Sequence, residues 1–424
     1  MGNLKGVDIK RGKLGANVSG NKDAISGLLC NSPAIPKDTT NNIPGIDIKQ
    51  AVKLTTVADA NAYGFNEKYD HDNDVQTYRH IKEFFRLAGE GTPLWLMLYS
   101  GTPSDAVGEE YGKRLIAESN GEIRQLAISW SPPSGAAVYV DGFPSEIHAA
   151  IAPLQAFYEW TFETFRPCHL ILEGRDFNAS AGAAALDLRE LKDNSNNVLQ
   201  CYKVSICIHQ DYNYAETLSE AGKKFADVGT LLGRIASLPV NRNVGEVAGG
   251  DLSDVIKGIY AEAGLSNHKT VKEFEQHLET LDDKGYIFAM QYAGMSGFYF
   301  NSDHTCTPVI QDEDGFFNEY SISLGRTHDK AVRNLRTKLL PIVKSTQPVD
   351  PNTGKLPKAL VTSFEKTGDS VFEKMLNEIS SGKTYVDENS NLMIPPRELK
   401  VSFVIVPQGQ IDVIKGTINL KTSI

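Results

Sequence analysis

The sequence predicts two folded parts, an α/β domain with a mainly parallel sheet and then an α+β domain, with an extended arm at each end. Apolar runs of strand length alternate with helical patterns through the N-terminal part, and strands separated by helices form parallel sheets. From residue 285 onwards, short aromatic runs replace this alternation. Residues 1–20 carry five glycines and few apolar side chains, so this segment is predicted to be an arm.

The first strands and the first long helix follow the predicted N-terminal arm. Residues 25–30 form an apolar strand that prolines close, and residues 52–57 form a second strand. Asp74 stands where the N-cap of a following helix is expected, and Gly89 ends that helix. Residues 94–99 are apolar on both faces, which is typical of a strand inside a sheet that helices cover on both sides.

The alternation of helices and strands continues to about residue 284. The further predicted strands cover residues 123–130, 168–172 and 202–208, and the further predicted helices cover residues 105–119, 145–165 and 215–238. Thr270 and Glu273 have the spacing of a capping box, which predicts one more helix start. We therefore expect the first domain to end near Lys284.

The C-terminal part is predicted to combine short strands with two helices. Strands at 286–290 and 298–300 come first, a basic helix follows, and a second helix at 360–380 comes after a loop rich in turn residues. Residues 399–406 and 411–420 are predicted to be two strands joined by a short turn, and the second strand ends the chain.

The basic helix belongs to residues 320–341, which open with a short alternating run and a hinge at Gly325. Pro341 ends the helix, which carries one apolar stripe and a crowd of cations. The stripe consists of Ala331, Val332, Leu335 and Leu339, and the cations are Arg326, Lys330, Arg333, Arg336 and Lys338. Because the chain has a formal net charge of −10, this positive charge is concentrated locally. The pattern leaves two interpretations open: a solvated face, or a surface that docks on an acidic partner.

Length and composition predict an ordinary soluble protein with more than one compact unit. The chain has 424 residues, of which 41 % are hydrophobic and 23 % are charged. Its acidic balance argues against general nucleic-acid binding. The sequence contains neither an export signal nor an apolar stretch of membrane-spanning length, so no membrane insertion is expected. Its five scattered cysteines are predicted to be buried thiols in a reducing compartment.

Two patterns of metal ligands are present, and both are incomplete. The carboxylates of residues 70–74 match the start of a calcium loop, but Val75 and Ile81 stand where a glycine and a bidentate acid are needed. A polar loop with a helix cap is the better interpretation of that stretch. His304 and Cys306 are close enough in sequence to chelate a metal, but no second pair supports them. We therefore predict neither a metal nor a cofactor.

An enzyme is the alternative that the residues leave open. Glu173 and Asp176 follow a predicted parallel strand, where α/β enzymes place active residues, so a hydrolase-like site would be expected there first. An ion pair at a strand end explains the same residues equally well. The sequence contains no phosphate-binding loop, dinucleotide-binding glycine pattern or zinc-protease helix.

The basic segment also resembles a known family. Residues 325–341 are similar to a segment near the C-terminus of the sheath proteins of contractile phage tails and phage-like injection machines. Shorter similar stretches lie at residues 283–286, 297–301, 303–305 and 349–355, and a weaker one covers residues 25–64. The middle of the chain shares only an α/β pattern with that family, and many unrelated folds have this pattern.

The resemblance implies a structural subunit and not an enzyme. Identical subunits would polymerise helically around an inner tube protein, between a baseplate and a tail terminator, and the sheath would contract to drive the tube through a target envelope. The particle would be a virion tail or an injection machine that assembles in the bacterial cytoplasm. An outer α/β domain (21–284) and an inner, tube-facing domain (285–409) would lie between the arms (1–20 and 410–424).

The resemblance also implies roles for particular residues. The basic helix would face the inner tube, and the contacts would come from Arg326, Lys330, Arg333 and Arg336. The two arms would add strands to the sheets of neighbouring subunits. Their apolar donor residues would be Leu4, Val7, Ile9, Ile411, Val413, Ile418 and Leu420. A terminal hairpin within one subunit is the other interpretation of the last strand.

Overall fold

The structure is a computed structural model that describes residues 22–37, 43–132, 138–179, 182–193 and 196–421. Its strands are β1 (Ser26–Asn31), β2 (Ala51–Leu54), β3 (Leu94–Tyr99), β4 (Gln125–Ser129), β5 (Tyr139–Val140), β6 (Phe143–Pro144), β7 (His169–Glu173), β8 (Val204–Cys207), β9 (His209–Asp211), β10 (Ala263–Leu265), β11 (Lys269–Thr270), β12 (Ala289–Met290), β13 (Tyr299–Phe300), β14 (Ile379–Val386) and β15 (Val401–Pro407).

Helices separate most of these strands. They are α1 (Val57–Ala62), α2 (Glu67–Asn73), α3 (Thr77–Ala88), α4 (Pro103–Ala106), α5 (Gly112–Glu118), α6 (Ser145–Glu163), α7 (Tyr212–Ala215), α8 (Val228–Ser237), α9 (Glu275–Asp283), α10 (Ile322–Leu339) and α11 (Lys358–Glu373). The predicted mixture of α/β and α+β structure is therefore present in the described residues.

Six strands form the main sheet, in the order β2-β3-β1-β4-β7-β8. The strands β1, β3, β4, β7 and β8 run parallel, and β2 pairs antiparallel with β3 at one edge. The central strands are buried on both faces, because successive residues such as Leu28 and Leu29 in β1 are fully buried. The mainly parallel sheet that the sequence predicts is confirmed. Four smaller antiparallel sheets accompany it in the described residues.

Helices α3 and α8 pack against each other through glycines. A Cβ added at Gly229 would lie 2.3 Å from the backbone oxygen of His80. A Cβ added at Gly233 would lie 2.8 Å from the backbone oxygen of Phe84. Because residues four apart share one face of a helix, the two glycines let the backbones of α3 and α8 approach closely.

The apolar core does not divide near Lys284, where the sequence predicts a domain boundary. Tyr286 and Phe300 are buried in the same core as the central strands, and Ile287 forms a parallel bridge with Cys207. The aromatic strands after residue 285 therefore extend the first core and do not begin a new one. A second, smaller core consists of Ala331, Leu335, Val371, Phe372, Met375 and Ile379. The packing thus divides within α10.

The helix predicted over residues 215–238 is wrong in its first half. The described chain is α-helical in α7 and again in α8, and the stretch between them contains only a short 3-10 turn, Gly222–Lys224. The side-chain amide of Gln210 donates to the carbonyls of Lys223 and Phe225 within that stretch. Because the Gln210 side chain binds these carbonyls, they are not needed as acceptors in a continuous helix. The local sequence pattern does not reveal this contact.

The predicted C-terminal hairpin is also wrong. The helix expected at 360–380 ends with α11, and the unpredicted strand β14 follows it and pairs antiparallel with β15. Residues 411–421 form no strand within the described part of the chain. Gly382 lets β14 pack closely on α11, because a Cβ added there would lie 2.4 Å from the Phe372 ring.

Two predicted local features, the N-cap at Asp74 and the hinge at Gly325, are wrong. Asp74 adopts a left-handed conformation at the end of α2, with φ of 54°, and is not an N-cap. The buried carboxylate of Asp70 instead accepts the backbone N–H groups of Tyr78 and Arg79 in α3. Gly325 lies inside α10, so the predicted hinge before that helix is wrong.

Candidate functional site at helix α10

Helix α10 begins on a hydroxyl cap and a buried carboxylate. Ser321 is the N-cap, and its hydroxyl accepts the N–H of Leu324 at 3.3 Å. The Asp303 carboxylate accepts the N–H of Ser323 at 2.9 Å, and the Asp303 carbonyl accepts the N–H of Ile322 at 2.8 Å. Burial raises the pKa of Asp303 to about 6. These bonds satisfy N–H groups of the first turn, which have no partners inside the helix.

One face of α10 carries a buried ion cluster. Lys203, immediately before β8, is fully buried. Its ammonium donates to the Asp329 carboxylate at 2.9 Å and to the Gly325 carbonyl at 2.8 Å, and it also pairs with Glu319. A Cβ at Gly325 would lie 3.0 Å from that ammonium, so glycine leaves room for it. A charge buried this deeply requires such partners.

The charges of this cluster set its protonation states. Burial alone would lower the pKa of Lys203, but Asp329 and Glu319 outweigh burial and raise it. Burial alone would raise the pKa of Asp329, but Lys203 and His328 hold it well below its ordinary value. His328 lies 2.8 Å from Glu319, and despite burial Asp329 and Glu319 raise the pKa of His328 to about 9. The shifts of Lys203, Asp329 and His328 therefore all favour the charged forms of these three groups.

Three of these residues are close enough together to share a metal ion, namely Glu319, His328 and Asp329. The Lys203 ammonium already pairs with both carboxylates. A metal at this position would have to displace a buried, hydrogen-bonded cation. The donor set therefore fits an internal ion cluster better than a metal site.

A second face of α10 holds the first described residues of the chain. Asp23 pairs with Lys330 at 2.7 Å and with Arg333 at 3.0 Å. Lys330 also pairs with Glu378, directly before β14, at 2.6 Å. Burial alone would raise the pKa of Asp23, but Lys330 and the neighbouring arginines lower it. This charge clamp, formed by Asp23, Lys330, Arg333 and Glu378, joins three distant segments of the chain.

Arg326 lies on the same face and is buried. Its guanidinium donates to the carbonyls of Asp23, Leu238 and Pro239 at distances of 3.4 to 3.5 Å. Burial lowers the pKa of Arg326 to about 10. A buried guanidinium with carbonyl partners acts as a structural link between the start of the chain and the end of α8.

The structure separates the four residues predicted to contact an inner tube. Arg326 is buried, and Lys330 and Arg333 are partly buried in the charge clamp. Arg336 is exposed, and its guanidinium lies 3.4 Å from the ring centre of Phe165. Whether any of the four contacts another protein stays a prediction. The pattern did identify a charged helix, but three of its cations have partners inside the subunit.

Two residues of these charge networks were not predicted. Lys203 interrupts an apolar strand pattern, and a lysine in such a place is a signal that a buried counter-charge exists. Asp23 offers no such signal, since its partners Lys330 and Arg333 lie about 300 residues away in the sequence.

The C-terminal segment is attached near the start of α10. The amide of Gln410 donates to the Ser323 hydroxyl at 2.9 Å, and Asn243 donates to Gln410 at 3.1 Å. Asn241 donates to Gln408 at 2.9 Å. Since the charge clamp holds Asp23, one segment near the beginning and one near the end of the described chain contact the same helix.

Residues 411–421, which follow Gln410, are exposed. The predicted donor residues Ile411, Val413, Ile418 and Leu420 are 81 %, 69 %, 94 % and 99 % exposed. The predicted donor residues of the N-terminal arm, Leu4, Val7 and Ile9, lie outside the described residues. Strand donation by either arm therefore stays a prediction.

The strand-end carboxylates that suggested an enzyme have partners within the fold. Glu173 is buried and accepts the N–H of Trp130 at 2.8 Å and the N–H of Ala226 at 3.0 Å. Asp176 pairs with Lys224 at 2.8 Å. Both carboxylates therefore fix loops at the end of β7, which is the structural alternative that the sequence left open.

The suggested metal pair is also occupied by other contacts. The two ring nitrogens of His304 lie 2.8 Å from Asp282 and 2.9 Å from Arg189. Cys306 is buried and bridges Cys201 through its backbone. All five cysteines are free and buried, as predicted.

A serine, a histidine and an aspartate meet in the interior at a place that the sequence analysis did not single out. His80 Nε2 lies 3.1 Å from Ser129 Oγ, and His80 Nδ1 lies 3.6 Å from Asp227 Oδ1. Nδ1 also lies 3.4 Å from the backbone nitrogen of Gly229. All three side chains are buried, and Asp227 pairs with Arg79 at 2.8 Å, so this is a core network.

The fold is similar to that of two solved protein structures. The chain is similar over its whole length to a chain in the cryo-EM structure of the anti-feeding prophage baseplate, with a TM-score of 0.57, 13 % identity and 100 % of both chains covered. It is also similar to a chain of the anti-feeding prophage helical sheath in its contracted state, with a TM-score of 0.53, 12 % identity, and 99 % of this chain and 100 % of that chain covered. The resemblance to contractile sheath proteins is therefore confirmed at the level of the fold.

The chain belongs to the DUF2586 family, since the N-terminal domain of that family matches residues 7–304. No curated protein matches the sequence. No helix in the described part of the chain has the length and apolar character that a membrane span needs.

Proposed function

We propose that the chain is a structural subunit of a contractile tail sheath, in a phage tail or a phage-like injection machine. Identical subunits polymerise helically around an inner tube, and the sheath shortens to drive the tube through a target envelope. The observation that carries this proposal is the likeness of the whole chain to a chain of a contracted helical sheath. The enzyme alternative gains no support from Glu173 and Asp176, whose carboxylates bind within the fold.

The chain ends are the proposed links between subunits. Residues 411–421 are exposed and form no strand in their own subunit. An extended segment of this kind gains backbone hydrogen bonds by adding to a sheet of a neighbour. The strands β14 and β15 make a sheet of only two strands, so sheet edges exist for such an addition. About five added bonds of about 1 kcal/mol each would make links that are strong together and flexible at their hinges.

The charge clamp supports a mechanical role for α10 in this proposal. The clamp holds Asp23, three residues after the predicted N-terminal arm, and Ser323 binds Gln410 at the start of the predicted C-terminal arm. A pull on one arm would therefore reach the other arm through a single helix. This arrangement suits a subunit that keeps its shape while its links to neighbours rearrange.

Contact with the inner tube is a further part of the proposal. Arg326, Lys330 and Arg333 would need to leave their internal partners to make it, whereas Arg336 is already exposed. Baseplate and tail-terminator proteins are the proposed partners at the two ends of the sheath. We propose that the subunit is assembled in the bacterial cytoplasm. It neither contacts nucleic acid directly nor inserts into a membrane.

No catalytic residue and no cofactor belong to the proposed function. The work of contraction comes from the difference in free energy between two packings of the same subunits, and not from a chemical step. The buried ion cluster fixes α10 to the main sheet inside each subunit. This supports the view that contraction changes the packing between subunits and not the packing within them.

The test is negative-stain electron microscopy of the purified chain, with and without its inner tube protein. Hollow striated tubes are the expected result, and a variant without residues 411–424 should lose them. If the full chain and the shortened variant both form tubes, the proposed sheath function stands, but the C-terminal segment is not a link between subunits. Small closed oligomers from the full chain, even in the presence of the tube protein, would contradict the proposed function.

A further inference from the structure

Residues 308–320 form an ordered hairpin directly before α10, which we call the acidic hairpin. Its two sides are joined by backbone bonds from Asn318 to the Ile310 carbonyl at 3.1 Å and from Asp312 to the Phe316 carbonyl at 2.9 Å. The Asn318 side chain accepts the N–H of Ile310 at 2.9 Å, and the Asp312 carboxylate accepts the N–H of Phe316 at 2.8 Å. The hairpin is therefore an element with its own hydrogen bonds.

This hairpin presents apolar and acidic groups to the outside. Its exposed apolar residues are Val309, Ile310, Phe316, Phe317 and Tyr320, with exposed fractions of 60 %, 38 %, 57 %, 45 % and 37 %. Its tip carries Asp312, Glu313 and Asp314, all of them exposed. Clustered apolar side chains on an exposed, ordered element mark a contact site. The partner that fits must offer an apolar surface and positive charge.

The other end of α10 has this complementary character, and we call it the basic surface. Its cations Arg336, Lys338 and Lys344 are exposed, and within the described chain Lys338 and Lys344 form no ion pair. Its exposed apolar residues are Phe165, Leu340 and Val343, with exposed fractions of 55 %, 53 % and 63 %. The Arg336 guanidinium lies over the Phe165 ring, which joins the cationic and apolar parts of the surface.

The two surfaces lie at different ends of α10. Ser321 and Arg336 are 15 residues apart, which corresponds to about 22 Å along a helix that rises 1.5 Å per residue. Each copy therefore carries one acidic hairpin and one basic surface at separate places. A contact between two different surfaces of identical chains is heterologous, and such contacts generate open helical polymers when the rotation does not close.

We propose that the acidic hairpin of one copy docks on the basic surface of the next copy. This inference rests on the proposed function, in that it takes the chain to polymerise, and it adds a contact distinct from the arms. The contact is formed by side chains and charge, so added salt weakens it, whereas strand donation by the arms depends on backbone bonds.

The test uses two variants of the full chain with exposed charges reversed. The hairpin variant carries Glu313→Lys and Asp314→Lys, and it keeps Asp312 because that carboxylate holds the turn. The surface variant carries Lys338→Glu and Lys344→Glu. Self-association, measured by analytical ultracentrifugation, should weaken at least about tenfold in each variant, because like charges then face each other.

Restoration is the decisive part of this test. An equal mixture of the two variants, and a single chain with all four changes, should both regain wild-type association. A matched control carries Glu279→Lys and Asp283→Lys, which change the net charge as the hairpin variant does but lie on α9. The control should associate as the wild type does, and all variants should keep the wild-type unfolding temperature because the changed residues are exposed.

Three results would overturn the contact. These are wild-type association in both single variants, a four-change chain that does not regain association, and a wild-type chain that stays monomeric without the tube protein. If the surface variant instead loses only its binding to the tube protein, the inner tube occupies the basic surface. Striated sheaths from the single variants would leave the proposed function standing while the hairpin contact fails.

Discussion

The main sheet and the surroundings of α10 are stabilised by different balances of contacts. Around the sheet, buried apolar side chains and the glycine contacts of α8 hold most of the helix surface in place, with the buried Arg79–Asp227 pair between α3 and α8 in addition. Around α10, ion pairs of Lys203 and Asp23 join segments that lie far apart in the sequence. Apolar burial tolerates many partners, whereas a buried ion requires particular ones. The difference teaches that α10 is fixed by specific partners, as suits a helix that Asp23 and Gln410 both contact.

The largest effect should come from removing the cation of the ion cluster. Lys203→Met leaves Asp329 and Glu319 without their buried ammonium, although His328 stays beside them. We expect the free energy of unfolding to fall by about 3–5 kcal/mol, as is usual when one partner of a buried pair is removed. Urea unfolding followed by circular dichroism measures this change.

Lys383→Met is the matched control for that variant. Lys383 pairs with Asp369 at 2.6 Å, but its side chain is 53 % exposed, so its loss should leave stability close to that of the wild type. If both variants were equally stable, the ion cluster would not be what fixes α10 to the sheet.

A smaller loss is expected from Gly229→Ala in the apolar part of the molecule. The added Cβ would meet the backbone oxygen of His80 at 2.3 Å, so α3 and α8 would have to separate. Forcing an extra group into a packed interior costs up to about 3 kcal/mol. Alanine favours a helix by about 1 kcal/mol over glycine, so the net loss in the free energy of unfolding should be about 2 kcal/mol. Thermal unfolding measures it, with Gly416→Ala as the control because nothing lies within 4 Å of that position. A more stable Gly229→Ala variant would contradict the close packing of the two helices.

The pH dependence of stability should separate the two regions further. Burial lowers the pKa of His328, but Asp329 and Glu319 outweigh burial and raise it to about 9, above the ordinary value of about 6.5. A raised pKa contributes stability that is fully present below about pH 6.5 and is lost as the pH rises through about 9. Because the side chain is 40 % exposed, we expect a contribution of only about 1 kcal/mol.

His328→Gln tests this dependence, because glutamine keeps a donor but carries no charge. Below about pH 6.5 the variant should be less stable than the wild type by that amount, and above about pH 9 the two should be equal. Urea unfolding at several pH values measures the difference. A difference that does not change with pH would mean that packing on Phe162, and not charge, is what the histidine supplies.

The same contrast explains what the sequence could predict. The strands of the main sheet are runs of apolar residues, so their positions and parallel arrangement were predictable. The strand β14 was not, because its sequence includes Ser380, Ser381, Gly382 and Thr384 and shows no apolar run. The cations of α10 were predictable as a cluster, but their partners were not. Asp23 and Glu378 are single carboxylates in ordinary surroundings, and only the folded chain brings them to Lys330.

The smallest effect on stability should come from the segment with the largest proposed effect on assembly. Removing residues 411–424 deletes side chains such as Ile418 and Leu420, which are 94 % and 99 % exposed and contribute almost nothing to either core. The unfolding temperature should therefore stay within about 1 °C of the wild type, since it follows the free energy of unfolding. Differential scanning calorimetry measures it, and a variant ending after Pro407 is the control, because it also removes the contacts of Gln408 and Gln410. A clear loss of stability in the shorter deletion would mean that these apolar residues serve their own subunit, and the proposed link to a neighbour would lose its physical basis.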